Sequence, residues 1–338
     1  MTAARARVVL VGSVHEARPV FDALRDSDLA ELSGVVTHTA ERGRQLAGAI
    51  PLAGPARAAG VRVIRTEDAN AAPVVGAVRR LRPDLLVVVG WNRLIGPELL
   101  ALPRRGCVGF HASLLPHNRG HAPINWAILR GETTTGNTMM LLDAGVDTGE
   151  IIAQTVIPIG PDDTCRTVYD AVGASGARML TSHLAAILDG SVGRRPQPHI
   201  DEAVLPRRTP DMGIIDWRLP APVVHDWVRA LTAPYPGAFT SVDGERAMVW
   251  ATEAPAPGDR YPSDRPPGAV VAVEGDGIRV AVGDGDILVT RMSEPGNEPM
   301  HARRWLRRTR RQVSAFDAAP PELAAWARAG RGQPVAAP

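Results

Sequence analysis

Arg7-Val8-Val9-Leu10-Val11-Gly12-Ser13 is a run of four apolar residues closing on Gly-Ser. A segment that is apolar at every position is buried on both faces, the mark of a central strand in a parallel sheet. Working outward, Arg18 to Leu29 has helical spacing, and Leu32 to Thr37, Val61 to Ile64 and Leu85 to Val89 read as further strands. Ala72 to Leu81 is a helix between two of them, and Cys107 to Ser113, Asn137 to Asp143 and 150–159 continue the strands. Thr164 to Leu188 is helical. The alternation predicts a doubly wound, Rossmann-like α/β domain with a mostly parallel sheet. Ligands in such sheets sit at the carboxyl ends of the strands. The first strand ends Val11-Gly12-Ser13-Val14-His15. It lacks the Gly-x-Gly-x-x-Gly fingerprint, which argues against a dinucleotide-dependent oxidoreductase.

With 338 residues the chain has room for two domains. The expected division is a catalytic domain over 1–190, a Pro- and Arg-rich linker over 191–213, a small OB-like β-barrel over 214–311 and a tail over 312–338. The barrel is read from Asp243-Gly244, Asp276-Gly277 and Asp284-Gly285 between apolar segments, each a hairpin signal. Ala221 to Leu231 is an amphipathic helix before them. The net charge of +2 gives no global pull toward nucleic acid or membrane. All 38 basic residues are arginine, so a Schiff-base lysine and a P-loop lysine are both excluded. Cys107 and Cys165 are too few for a disulfide framework or a Cys-rich zinc site. The amino-terminal apolar run is too short to span a membrane and lacks a signal-peptide pattern. A cytoplasmic protein is the expectation; the oligomeric state stays open.

Chemistry-bearing residues gather in Gly109-Phe110-His111-Ala112-Ser113-Leu114-Leu115-Pro116-His117-Asn118-Arg119-Gly120-His121-Ala122-Pro123-Ile124-Asn125-Trp126. A second group is Asp143-Ala144-Gly145-Val146-Asp147-Thr148-Gly149. His111 closes a strand, and Asp147 sits in a Gly-flanked loop after another. A histidine beside a carboxylate is a proton-transfer pair. By themselves, a strand-end His and a turn Asp are equally at home as structural residues. His111, His117 and His121 lack the i, i+4 helical spacing of a zinc protease, so no metal is expected.

In this order the residues resemble the formyltransferase family, which acts on acceptors that include methionyl-tRNA and amino sugars. Its pattern is roughly Asn-x-His-x-Ser-Leu-Leu-Pro, Arg-Gly, Ala-Pro-x-x-Trp, Gly-Glu-x-x-x-Gly-x-Thr and Asp-x-Gly. The matching residues are His111, Ser113 to Pro116, Arg119-Gly120, Ala122-Pro123, Trp126, Gly131-Glu132, Gly136, Thr138 and Asp147-Thr148-Gly149. Arg207 to Asp211, Ile215-Asp216-Trp217 and Pro234 to Ala238 resemble the family's linker and carboxyl-terminal barrel. The resemblance covers about residues 5 to 311.

The resemblance implies N-formyl transfer from N10-formyltetrahydrofolate to a primary amine. A small molecule such as an amino sugar or natural-product intermediate is the first acceptor expected. Methionyl-tRNA is the alternative, and a non-catalytic folate-binding paralogue a further one. His111 is implied as proton donor, and Asp147 as the residue that tunes it and relays the amine's proton. Arg93, Leu94 and Ile95, Ser113, Leu114, Leu115 and Pro116, and Asp143, Ala144, Gly145 and Val146 are implied to wrap the folate. The family's Asn, an oxyanion donor, is replaced by Gly109. Strand alternation puts that position on the His111 face, where a gap is expected. Three outcomes stay open: a substitute donor, altered chemistry, or inertness. Asn92 is the expected substitute and Asn118 a weaker one. Asn137 replaces a small apolar residue but should face away. Arg303, Arg304, Arg307, Arg308, Arg310 and Arg311 read as a solvated terminal helix, with a tRNA contact as the alternative.

Overall fold

A computed structural model describes residues 5–253, 264–309 and 313–321. The chain divides into two compact units. The first takes in residues up to 123, 134–158 and 168–204, and the second 124–133, 159–167 and everything from 205 on.

Seven strands form the sheet of the first unit: β1 (Ala6–Val11), β2 (Ala30–Thr37), β3 (Arg62–Arg65), β4 (Leu85–Val88), β5 (Cys107–His111), β6 (Thr134–Leu141) and β7 (Ile151–Pro158). Their order is β3-β2-β1-β4-β5-β6-β7. The first five are parallel, and β6 and β7 close the sheet antiparallel. Residues alternate between two packed layers. Val8, Leu10, Val87, Val108 and Met139 pack with Phe21 and Leu24 of α1 (Ala17–Arg25) and with Met179, Leu180 and Leu184 of the later helix Cys165–Asp189. Val9, Val11, Val88 and Cys107 meet Val74, Val75 and Val78 of the helix Ala72–Leu81. Burial on both faces explains the uninterrupted apolar runs at β1 and β4. The chain leaves β1 for β2 on one side and returns to β4 on the other, so the topological switch point lies between β1 and β4.

Short helices α2 (Ala40–Arg44), α3 (Ala53–Ala58) and α5 (Pro97–Leu100) were not legible in the sequence, while α4 (Ala72–Leu81), α6 (Pro123–Leu129) and α7 (Cys165–Asp189) complete the set. α1 stops at Arg25, short of the expected Leu29. Asp26-Ser27-Asp28 turns the chain instead, with Ser27 Oγ accepting from the Leu29 N–H.

The second unit carries α8 (Ala221–Leu231), β8 (Ala238–Val242), β9 (Glu245–Glu253), β10 (Val270–Glu274), β11 (Gly277–Val282), β12 (Gly285–Ser293), β13 (Met300–His301) and α9 (Ala302–Arg308). The strands form one antiparallel sheet in the order β10-β11-β12-β9-β8, with β13 on β12. Asp243 and Gly244 both take positive φ, 53° and 78°, between β8 and β9, as a type I′ hairpin requires. Two excursions from the earlier sequence belong here. Asn125 donates to Ala230 O at 2.6 Å, and Arg229 donates to Gly160 O and Asp163 O. Arg208 lies over the rings of Trp126 and Trp227 at 5.1 and 5.7 Å, and burial pushes its guanidinium down to about 9. Arg304, Arg307 and Arg308 lie exposed on α9, whereas Arg310, Arg311 and most of the tail fall outside the described residues. Among the described residues no helix is long and apolar enough to cross a membrane.

Candidate active site

His111 is the last residue of β5, buried at the carboxyl end of the sheet. Its Nε2 lies 2.8 Å from the carbonyl oxygen of Asn118. A carbonyl only accepts, so Nε2 carries the hydrogen. Nδ1 then faces Asp147 Oδ2 at 3.5 Å. Asp147 Oδ2 also accepts from the Gly120 N–H at 2.9 Å. Both ring nitrogens thus face oxygens. Asn118, Ala122 and Asp147 all hold left-handed φ, between 52° and 57°. Non-glycine residues in that region are costly and cluster where a site is over-determined.

The loops expected around the folate are pinned from β6 and β7. Thr138 Oγ1 donates to Ser113 O at 2.7 Å and accepts from the Leu115 N–H and from Gln154 Nε2. Gln154 also donates to Leu115 O. Asp143 Oδ1 accepts from Gly145 N–H and Thr148 Oγ1, closing the 143–148 turn. Asn70 holds the third loop, donating to Leu94 O and accepting from Gly96 N–H. Arg93 is exposed and Ile95 buried. Leu94 and Val146 are 54% and 36% exposed, so two of these loops present bare hydrocarbon. Such surface suits a flat heteroaromatic ring, with backbone groups left for its hydrogen-bonding edge.

Residues in the 191–204 segment were missed in the sequence. Arg195 pairs with Ile151 through both backbone groups and reaches Gln154. Gln197 Nε2 donates to Asp147 O and Gly149 O at 2.9 and 2.8 Å. Glu202 accepts from the Asn118 N–H at 2.9 Å and meets His117 Nδ1 at 2.9 Å. The segment straps both loops that bear on His111. It carries no periodicity, so nothing in sequence marks it.

The gap expected beside Gly109 is not there. A Cβ on Gly109 would stand 2.4 Å from Leu142 Cδ2 and 2.8 Å from its Cγ. Leucine hydrocarbon therefore fills the space on the His111 face. Asn92, the expected substitute, is exposed in the loop after β4. Asn118 serves His111 through its carbonyl oxygen. Asn137 is buried toward α7, donating to Val172 O and Ser175 Oγ. Ile124 to Trp126 fold with the second unit. Cys107 and Cys165 are buried, each thiol pushed up to about 12 by desolvation, which leaves neither a nucleophile. Among the described residues no cluster of His, Cys, Asp or Glu is placed to hold a metal.

Residues 5–184 match the formyl transferase family, and residues 207–310 match the formyl transferase C-terminal domain. The methionyl-tRNA formyltransferase of Burkholderia multivorans is 40% identical over 239 residues, 70% of this chain and 72% of that protein. That of Caldanaerobacter subterraneus subsp. tengcongensis is 32% identical over 302 residues, 89% of this chain and 96% of its own length. The solved N-formyltransferase of Helicobacter canadensis, in complex with folinic acid and dTDP-3-aminofucose, gives a TM-score of 0.63 at 18% identity. It covers 84% of this chain and 98% of that one, a likeness of fold.

Glu16, just before α1, was also missed. Its Oε2 is out of contact with solvent and has no hydrogen-bond partner. Burial pushes its carboxyl up from 4.5 to about 7, against a smaller opposing pull from its own backbone N–H. The folded state thus holds a proton that the unfolded chain releases. The resulting stability is complete below about pH 4.5 and is lost as pH rises through 7. A shift of this size corresponds to a loss on the order of 3 kcal/mol. Glu16→Gln should abolish that loss: urea unfolding from acid to mildly alkaline pH should show the variant gaining on the parent by about this amount. Parallel pH profiles for the two proteins would refute it.

Proposed function

This chain belongs to the formyl transferase family, and on that footing we propose that it carries a formyl group from N10-formyltetrahydrofolate to the α-amino group of methionyl-tRNA. The observation that carries the acceptor is the length of the match to methionyl-tRNA formyltransferases, which runs through both units. The small-molecule amine expected from the sequence rests on Gly109 and a fold-level likeness, and takes second place.

The folate co-substrate supplies an activated formyl carbon. Leu94 and Val146 offer its ring apolar contact, and the 113–116 and 143–146 turns offer backbone groups. His111 holds one proton against Asn118 O and presents Nδ1 to Asp147, so the pair can pass a proton to a departing nitrogen. Asp147 is held by Gly120 N–H and, through its backbone, by Gln197. Leu142 offers no hydrogen-bond donor, so the oxyanion depends on His111 and on a donor from outside β5, for which Asn92 is the candidate.

The acceptor is tested by offering methionyl-tRNA and amino-sugar nucleotides with formyl-folate. Formylmethionyl-tRNA and tetrahydrofolate should appear together, and the sugars should stay unmodified. The reverse result returns the small-molecule reading, and intact folate binding without any transfer points to the paralogue.

The strap is tested separately. Glu202→Ala and Gln197→Ala should each lower kcat roughly tenfold or more while the KM for formyl-folate holds, since they orient the transfer pair without touching the donor. Equal changes in both constants would sink the assignment. At Gly109, Asn alone should collide with Leu142. Gly109→Asn combined with Leu142→Ala should raise turnover by up to roughly two orders of magnitude. A gain from the single variant would overturn this account of the filled space.

A further inference from the structure

Four arginines of the first unit line one cleft of about 510 Å3: Arg7 of β1, Arg79 and Arg82 at the end of α4, and Arg104 beyond α5. Pro83, Asp84 and Leu102 complete it. Sites for small molecules fall in this range of volume. The last turn of a helix ordinarily carries basic side chains, which complement its dipole. That accounts for Arg79, but not for Arg7 or Arg104, which arrive from other elements. In a chain of net charge +2, four arginines about one carboxylate are a local excess.

Asp84, the residue before β4, knits the floor of the cleft. Its N–H donates to Arg7 O at 2.7 Å, and the Arg7 N–H donates back to Asp84 Oδ2 at 2.8 Å. Asp84 Oδ1 accepts from the Arg104 guanidinium, and Asp84 O accepts from the Arg105 N–H at 2.8 Å. The Arg7 N–H first, and then the Arg104 guanidinium, hold the Asp84 carboxyl below the usual carboxylate range. The one carboxylate is therefore ionised and already engaged. Arg7 Nε is buried and has no hydrogen-bond partner among the described residues. A buried donor left unmatched is costly unless an acceptor joins it. Arg79 reaches Glu98 at 4.0 Å with both side chains mostly exposed, a contact worth little. Arg82 is exposed and holds a left-handed φ of 49°, in a position that glycine or asparagine ordinarily takes.

We infer that this cleft binds a nucleoside polyphosphate. Guanidinium forks match phosphate oxygens in bidentate pairs. Four of them exceed what a single carboxylate can engage and call for a chain of phosphates. Pro83 and Leu102 give the wall an apolar stretch on which a flat base can lie. A nucleic-acid backbone would track the rim, and the buried Arg7 Nε lies beneath it. The cleft stands at the amino ends of β1 and β4, whereas His111 closes β5 at its carboxyl end. The nucleotide and the folate thus occupy opposite edges of the sheet, and the inference does not depend on the identity of the acceptor.

The test uses the full chain, with ATP, inorganic tripolyphosphate and sulfate compared by titration calorimetry at equal ionic strength and without divalent cations. ATP should bind saturably, with a Kd below about 1 mM. Tripolyphosphate should bind more weakly, and sulfate not measurably over the same range. Arg82→Gly should weaken ATP by about tenfold or more. Glycine suits that left-handed position, so the variant should fold as the parent does. Arg7→Gln should act in the same direction, while Arg57→Ala, an exposed arginine of α3, should leave the affinity unchanged. Formyl-folate should bind alongside ATP, and formyl transfer by Arg82→Gly should match the parent. No ATP binding at millimolar concentration, tripolyphosphate binding as tightly as ATP, competition with formyl-folate, or an equal loss in Arg57→Ala overturns the site. A loss of methionyl-tRNA affinity in Arg82→Gly, with ATP unbound by the parent, assigns these arginines to an RNA backbone and ends the proposal as well.

Discussion

The hydrogen bond from His111 Nε2 to the carbonyl of Asn118, 2.8 Å long, settles which face of the imidazole meets Asp147. Much of the first unit's polar architecture serves that bond. Asn118 presents that carbonyl from a left-handed backbone, with its N–H taken by Glu202. Asp147, across the ring, is left-handed too, and is tied by Gly120 N–H to the loop that carries Asn118. A ring fixed at one nitrogen by a neutral acceptor and addressed at the other by a carboxylate can exchange a proton without turning. That economy of motion is what pre-organisation contributes to a transfer reaction.

The parts legible in the sequence were those with a short-range signature. β1 and β4 announce themselves because burial on both faces forces every residue to be apolar. His111 was found because it closes a recognisable strand, and Asp147 because it lies in a Gly-flanked loop after another. Gln197 and Glu202 had no such signature, since an irregular strap reveals its purpose only through partners far along the chain. Glu202 reaches Asn118 across 84 residues. Glu16 had no such signature either, and only the packed structure shows that its side chain is buried and caps nothing. The excursion 124–133 was invisible for a related reason. Its neighbours in sequence belong to one unit and its contacts to the other.

The two units also differ in how they treat buried charge. In the second, the Arg208 cation lies over two indole rings and donates to Met212 O, a setting in which aromatic faces help to offset lost solvation. In the first, Glu16 has no comparable compensation, and its carboxyl rises accordingly. An uncompensated group of this kind lowers stability and persists in a folded chain chiefly where something other than stability is served.

Leu142 in the space beside Gly109 has a consequence for how the two positions can change. A Cβ at 109 would stand 2.4 Å from Leu142 Cδ2, so bulk added at one position must be yielded at the other. Growth at 109 displaces the leucine from its seat, and trimming 142 alone opens a void. The two residues therefore behave as a single packing unit, whose substitutions do not add as those of distant sites do.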